Sequence, residues 1–185
     1  MKIFAVTAAL VALVSAETYS APVTNDVGLV YSNLMCGSTT CPTTNLSGQS
    51  QYTAFLGNRD YRRILMSFDL PADATDTSRI ASCTLMLPQP ITSGTNPSSY
   101  TLRVSPVTSQ YDAKTVAPVT APKTGDTIAT ATNMDNVAPA MMDITDACKS
   151  AINGQVGIVL DSSGGPVTFP SSNGGSTAKI MVTTY

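Results

Sequence analysis

Residues 62–71 read Arg62-Arg63-Ile64-Leu65-Met66-Ser67-Phe68-Asp69-Leu70-Pro71, and residues 80–87 read Ile80-Ala81-Ser82-Cys83-Thr84-Leu85-Met86-Leu87. In the first stretch Ile64, Met66, Phe68 and Leu70 share one parity, while Arg63, Ser67 and Asp69 share the other. Side chains alternate faces along a strand, so this pattern predicts a strand with one face buried. The second stretch puts Ala81, Cys83, Leu85 and Leu87 on one side, with Ser82 and Thr84 opposite. The run between them, residues 71–78, is polar and rich in turn formers. Two such strands are not stable alone in water; they need further strands and a second layer to cover them.

Outward from this pair, short segments with a strand period recur at 26–31, 51–57, 100–107, 140–145, 155–160, 166–169 and 178–183. In 100–107, Leu102 and Val104 point inward and Thr101 and Arg103 outward, and Pro106 marks the strand's end or an edge. Residues 17–24 read as an amino-terminal arm, and 32–50 as a long loop rich in Ser, Thr and Gly. Residues 108–136 are the least regular part, with short strands expected near Val116 and Ile128. Asp146 is placed to cap one short helix over 147–153, with Gly154 to stop it. Many short strands separated by Gly and Pro predict an all-β fold, a β-sandwich of antiparallel strands with one short helix.

The chain opens Met1-Lys2, continues with an apolar run over 3–14 and ends that run in Ser15-Ala16. A basic start, about a dozen apolar residues and a small-residue end are the marks of a secretory signal peptide, so residues 1–16 are expected to be removed. The run is too short for a membrane anchor, which takes about 20 apolar residues. Residues 17–185 are then a single domain by length, secreted, extracellular or cell-wall associated. Charged residues make up 12% of the chain and the net charge is −2, with no basic stripe, which excludes nucleic acid as the partner.

The four cysteines are Cys36, Cys41, Cys83 and Cys148. An even count in an exported chain points to disulfides, and three pairings can be drawn. Cys36-Gly-Ser-Thr-Thr-Cys41 is a small loop able to close on itself. Zinc, the competing reading, calls for thiolates in closely spaced pairs, and here only one such spacing exists. Asn45-Leu46-Ser47 is an N-glycosylation sequon.

The order of these segments resembles the DNRLRE-type domain, also called carbohydrate-binding module family 96. The pieces that carry the likeness are Tyr52-Thr-Ala-Phe-Leu-Gly-Asn58, Arg62-Arg-Ile-Leu-Met-Ser-Phe-Asp-Leu70 and Ile80-Ala-Ser-Cys-Thr-Leu-Met-Leu87. They continue through Leu102-Arg-Val-Ser-Pro-Val107, Met142-Asp-Ile-Thr-Asp146, Gly157-Ile-Val-Leu160, Val167-Thr-Phe-Pro-Ser171 and Lys179-Ile-Met-Val-Thr183. The resemblance implies a jelly-roll-like β-sandwich and binding of acidic or neutral polysaccharide. It also places Cys83 and Cys148 in one core, which, once Cys36 and Cys41 pair, leaves Cys83 bonded to Cys148. The family's Trp-x-Glu becomes Tyr111-Asp112-Ala113 here, and its Thr-Val-x-Trp becomes Thr115-Val116-Ala117-Pro118. Tyr111 stands in for the first tryptophan, while the glutamate and the second tryptophan are gone.

The chain has no histidine and no tryptophan. The first absence removes the usual base of a serine triad and the commonest metal ligand; the second removes the strongest aromatic platform for a sugar ring. Carboxylates group at Asp69, Asp73 and Asp76 and at Asp143 and Asp146, but aspartates at such places ordinarily bond nearby backbone amides in turns. Tyr61 beside Arg62 and Arg63 is the one place for a lyase-type base. No cofactor is expected; a structural calcium ion, which carboxylates and loop carbonyls suit, is the one left open. For glycan binding the candidates are Tyr111, Tyr61, Arg63 and Tyr31, rings to stack on a sugar and a cation to read its substituents. The leading reading is a secreted, non-catalytic module that binds cell-wall or matrix polysaccharide. A structural or adhesive wall protein is the second, and a polysaccharide hydrolase or lyase the third.

Overall fold

The computed structural model describes residues 16–32, 41–45, 51–56, 60–91, 99–112, 115–116, 120–134, 141–175 and 178–185. Among the described residues eleven strands carry the fold: β1 Glu17–Ser32, β2 Cys41–Asn45, β3 Gln51–Leu56, β4 Asp60–Asp69, β5 Ile80–Met86 and β6 Ser99–Pro106, then β7 Ala129–Met134, β8 Met142–Asp143, β9 Gln155–Ser163, β10 Val167–Pro170 and β11 Lys179–Thr184. Every pairing between them is antiparallel. An α-helix, α1 Thr145–Lys149, follows β8.

The layers meet at β1. Its first half pairs with β11 from Glu17↔Thr184 to Pro22↔Lys179, and β11 continues to β5 and β8. Its second half pairs with β4 from Val23↔Phe68 to Ser32↔Asp60, and β4 leads on to β9, β6 and β7. The register slips between Val23 and Asn25, where Thr24 is the extra residue; such a bulge bends a strand sharply. Thr24 Oγ1 donates to the Ser67 carbonyl at 3.0 Å and pins the bend. One strand thereby serves both sheets of a jelly-roll-like sandwich, and residues 17–24, expected as an arm, are strand.

Between the sheets lies the core that the parity of β4 predicts: Ile64, Met66, Phe68 and Leu70 are buried with Cys83, Leu85, Leu102, Val104, Ile158, Leu160, Ile180 and Val182. Each large apolar side chain taken fully from water contributes about 1.5–3 kcal/mol. In β5 the parity fails at one place. Ser82 pairs with Thr183 but Ile80 pairs with Thr184, so Ala81 is a bulge residue, exposed, and Ile80 takes the core position. The Cys83–Cys148 disulfide bridges β5 to α1 across 65 positions of chain, as expected. Cys36 lies outside the described residues, so its expected bond to Cys41 does too, as does the signal segment before Ala16.

Three further expectations are corrected. Residues 41–45, read as loop, form β2 against the second half of β1. Val116 is buried but not in a strand; the second short strand expected in this region is β7, starting at Ala129 just after Ile128. The helix runs over Thr145–Lys149 rather than 147–153, because its start is clipped to β5: Cys83 N–H donates to Thr145 Oγ1 at 2.9 Å and Ile144 N–H to the Cys83 carbonyl at 2.9 Å. Asp146 therefore sits in the first turn and caps nothing; Asp143 receives Thr145 N–H at 2.9 Å instead.

Candidate functional site

Of the residues singled out for glycan binding, Tyr61 and Arg63 stand on β4, the Tyr31 backbone faces Tyr61 from β1, and Tyr111 comes from the irregular chain after β6. At the end near Asp60, Arg63 reaches across to β9. Its Nε and Nη2 meet the two oxygens of Asp161 at 2.9 and 3.0 Å, a two-pronged pairing that fixes both side chains. Asp161 is buried. Arg103, paired in register with Asp161 from β6, is exposed and forms no ion pair among the described residues. Tyr61 is half-buried, and its backbone stands opposite that of Tyr31. The side chains of Tyr31 and Asn45 lie outside what is described.

At mid-strand the outer face is roofed. The irregular chain after β6 crosses it, and Val107 and Val116 bury themselves with Val27, Leu29, Leu65 and Val159 in a second apolar cluster, with Tyr111 and Ala121 packed against it. Leu65 and Ser67, on the parity expected to face water, are consequently buried, so β4 is covered on both faces here. Tyr111 closes the cluster. Its hydroxyl is bonded to the Ser67 hydroxyl and donates to the Met66 carbonyl at 3.3 Å. Burial pushes the Tyr111 phenol up from its ordinary pKa, against the lowering pull of the Ser67 bond. Tyr111 and Val116 thus both pack into the cover over this face.

Beyond this roof, at the Asp69 end, an open cleft of about 240 Å³ lies between the roof and the start of β9. Tyr111, Gln110 and Ser109 form one wall; Asp69, Gln155 and Asn153 form the other. Asn153 and Gly154 both have positive φ, 53° and 76°. Ile152 and Gln155 exchange both backbone bonds at 3.0 Å around them, which makes a two-residue hairpin turn of the kind Asn-Gly favours. Gly154 is thus a turn residue and not a helix stop. The turn brings Asn153 into the lining of the cleft. Gln155 Nε2 approaches Asp69 Oδ1 at 3.4 Å, a long contact that a ligand hydroxyl can replace. Gly157 leaves the floor open: a Cβ there would lie 3.1 Å from Tyr111 Cε1 and 2.9 Å from Val107 Cβ.

Of the glycan candidates whose side chains are described, Tyr111 alone lines this cleft. Arg63 stands four residues from Ser67, about 13 Å along the strand, and Tyr61 about 20 Å. Gln110, Asn153 and Gln155, which also line the cleft, were not among the candidates. Asn153-Gly154 carried a readable turn signal; the two glutamines carried none.

The other aspartates do local work. Asp76 accepts from Ser78 N and Oγ at 3.2 and 2.6 Å, and Asp143 from Thr145 N and Oγ1 at 2.9 and 2.6 Å; these bonds hold both carboxyls below their ordinary pKa. Among the described residues no three His, Cys, Asp or Glu side chains gather to hold a metal ion, and no helix is long and apolar enough to cross a membrane.

Comparison with curated proteins finds no match. The profile of carbohydrate-binding module family 96 matches residues 39–184, a span that takes in β2 to β11, the roof and the cleft. With most of its length covered by that match and the sandwich in place, the chain belongs to carbohydrate-binding module family 96, a class whose business is to bind carbohydrate.

Proposed function

We propose that the chain is a secreted, non-catalytic module that binds cell-wall or matrix polysaccharide, and that the cleft at Tyr111 is where it does so. The observation that carries this is the composition of the cleft walls: a tyrosine ring, three carboxamides, one hydroxyl and one carboxylate around an open space of about 240 Å³. A sugar presents apolar ring faces and flanking hydroxyls. An aromatic ring suits the first. Carboxamides, each with donors and an acceptor in one plane, suit the second. Glycoside hydrolysis takes two carboxyls facing each other across the bond, and Asp69 is the only carboxylate among the described residues of the cleft. An oxidised cysteine pair fits export. Tyr61 and Arg63 lie on β4, with Tyr31 opposite Tyr61 on β1, where a longer polysaccharide would meet them.

The test is a glycan array and pull-down on insoluble wall polymers with the mature chain. Binding saturable by one soluble oligosaccharide is expected. It should weaken about ten-fold when Gln155 becomes Ala, the size of a lost hydrogen bond to a ligand. Retention in the wall with no glycan hit would favour the structural or adhesive role instead. Release of reducing ends or unsaturated products would overturn the non-catalytic reading.

A further inference from the structure

We infer that a hollow beside the start of β1, walled by Tyr19, Asp73, Thr75 and Arg79, is a second subsite for the polysaccharide, so that one glycan chain lies across both it and the cleft at Tyr111. This rests on the reading above that the cleft binds glycan, and it adds a site to that reading. The hollow is an open space of about 360 Å³, larger than the cleft at about 240 Å³. Glu17 and Tyr19 form one side. Two short 3-10 turns between β4 and β5, Ala72–Ala74 and Thr77–Arg79, bring Asp73, Thr75, Asp76 and Arg79 to the other. Glu17 and Tyr19 precede residues 39–184, so this wall lies outside the span that the family profile matches.

Local bonds hold the walls in place. Tyr19 is half-buried and packs against the core, and its hydroxyl donates to a Glu17 carboxylate oxygen. Arg79 Nε donates to the main-chain oxygen of Tyr185 at 3.0 Å. Asp76 accepts from Ser78 N and Oγ at 3.2 and 2.6 Å. Side chains fixed in this way have less freedom to lose on binding. The set also matches a sugar unit. The tyrosine ring offers an apolar surface. The Arg79 guanidinium only donates, the exposed Asp73 carboxylate only accepts, and the Thr75 hydroxyl does both. Sugar hydroxyls are donors and acceptors at once, so they satisfy each of these groups.

The hollow and the cleft stand back to back. Asp69 lines the cleft and Ala72 the hollow, and three steps of chain span at most about 11 Å. Leu70 N–H donates to the Gly154 carbonyl at 2.8 Å, and a Cβ on Gly154 would lie 3.8 Å from Thr75 Cγ2. The Asn153-Gly154 turn of the cleft therefore abuts Thr75 of the hollow, and a narrow ridge separates the two. An oligosaccharide long enough to cross it reaches Tyr111 and Tyr19 together. Once one end is bound, the second contact is intramolecular and adds affinity by proximity.

Calorimetric titration of the mature chain with graded oligosaccharides of mannan, laminarin, cellulose and alginate, from disaccharide to octasaccharide, tests this. In a series that binds, affinity should climb about ten-fold or more between lengths that fill one subsite and lengths that span both. Tyr19→Ala should flatten that climb and leave the shortest bound oligomer unaffected. Tyr19→Phe, which keeps the ring, should retain it. Asp73→Ala should reduce the climb as well; Asp73 is exposed, so this variant keeps the test decisive if Tyr19→Ala fails to fold. Gln155→Ala should weaken every length. No climb in the parent would overturn the second subsite and leave the cleft. So would a climb that Tyr19→Ala and Asp73→Ala both keep while Gln155→Ala weakens binding. Weaker binding in the two hollow variants with none lost in Gln155→Ala would uphold the hollow and remove the cleft. Binding of none of the four series would take down the glycan reading and the second subsite together.

Discussion

Replacing Gly157 with Ala tests the roof and the cleft floor together. Two effects oppose each other. Alanine restricts the unfolded chain more than glycine does, worth about 0.5–1 kcal/mol in favour of the variant where the backbone is compatible; Gly157 has no positive φ, so it is. Against this, the new Cβ would stand 2.9 Å from Val107 Cβ and 3.1 Å from Tyr111 Cε1. Val107 cannot swing aside, because its N–H is bonded to the Gly157 carbonyl at 2.9 Å, and Cβ moves only with the backbone. Overpacking of this kind costs about 1–3 kcal/mol. If Tyr111 yields instead, it leaves Ser67 and forfeits about 1 kcal/mol more. The clash wins, with a net loss of about 2 kcal/mol, or about 4–8 °C in Tm for a domain of this size. Thermal unfolding followed by near-ultraviolet dichroism of the tyrosines reads both the loss and the ring's displacement. Val107→Gly, which removes the clashing Cβ, should relieve the clash, so the double variant should be more stable than the sum of the single effects by about 1 kcal/mol. A Gly157→Ala protein that melts at or above the parent temperature would refute the packing of Tyr111 and Val107 against this strand.

Two other outcomes follow from the core. Removing the disulfide with Cys83→Ala and Cys148→Ala should cost about 4 kcal/mol, since the bridge closes 65 positions of chain; chemical denaturation measures it, and a loss below about 1 kcal/mol would contradict that account. Asp26 is buried on β1, and desolvation pushes its carboxyl up from the ordinary pKa although it accepts Ser172 N–H at 2.8 Å and Ser172 Oγ at 2.6 Å. The native state therefore holds this proton to higher pH than the unfolded chain does, so the group's contribution is largest in acid and falls as pH rises from about 3.9 through the raised value. In urea titrations, the stability of the parent relative to Asp26→Asn should accordingly fall between about pH 4 and neutrality; a rising difference would contradict the direction.

The inner face of β4 was legible because Ile64, Met66, Phe68 and Leu70 obey a period that only a strand satisfies. The outer face was not. Leu65 shares parity with Arg63 and Ser67, and nothing local announces that residues more than forty positions later will cover it. Residues 17–22 alternate Tyr19 and Ala21 with Thr18 and Ser20, but the segment is short and meets Pro22, and its partner is the last strand. Ala81 shows a different limit: parity counts residues, and a bulge adds one. Of the cleft, Tyr111 was found through its replacement of a family tryptophan. Asp69 was weighed only as one of a cluster of turn aspartates, whereas it forms a wall. Gln110 and Gln155 gain their meaning only when the roof brings them to one cleft.

The division of β1 between the two sheets bears on how the chain is made. Its first half finds its partner in β11, the last of the eleven strands, whereas its second half finds β4 some forty positions on. During synthesis the second half can be paired early, while residues 17–22 wait with both backbone edges unmatched until the far end of the chain has emerged. Closing so distant a pairing is slow, and an unpaired strand is exposed to the wrong neighbours in the meantime. The polar, threonine- and serine-bearing sequence of that half, interrupted by Pro22, is a poor template for self-association, so the waiting strand is shielded by its own composition.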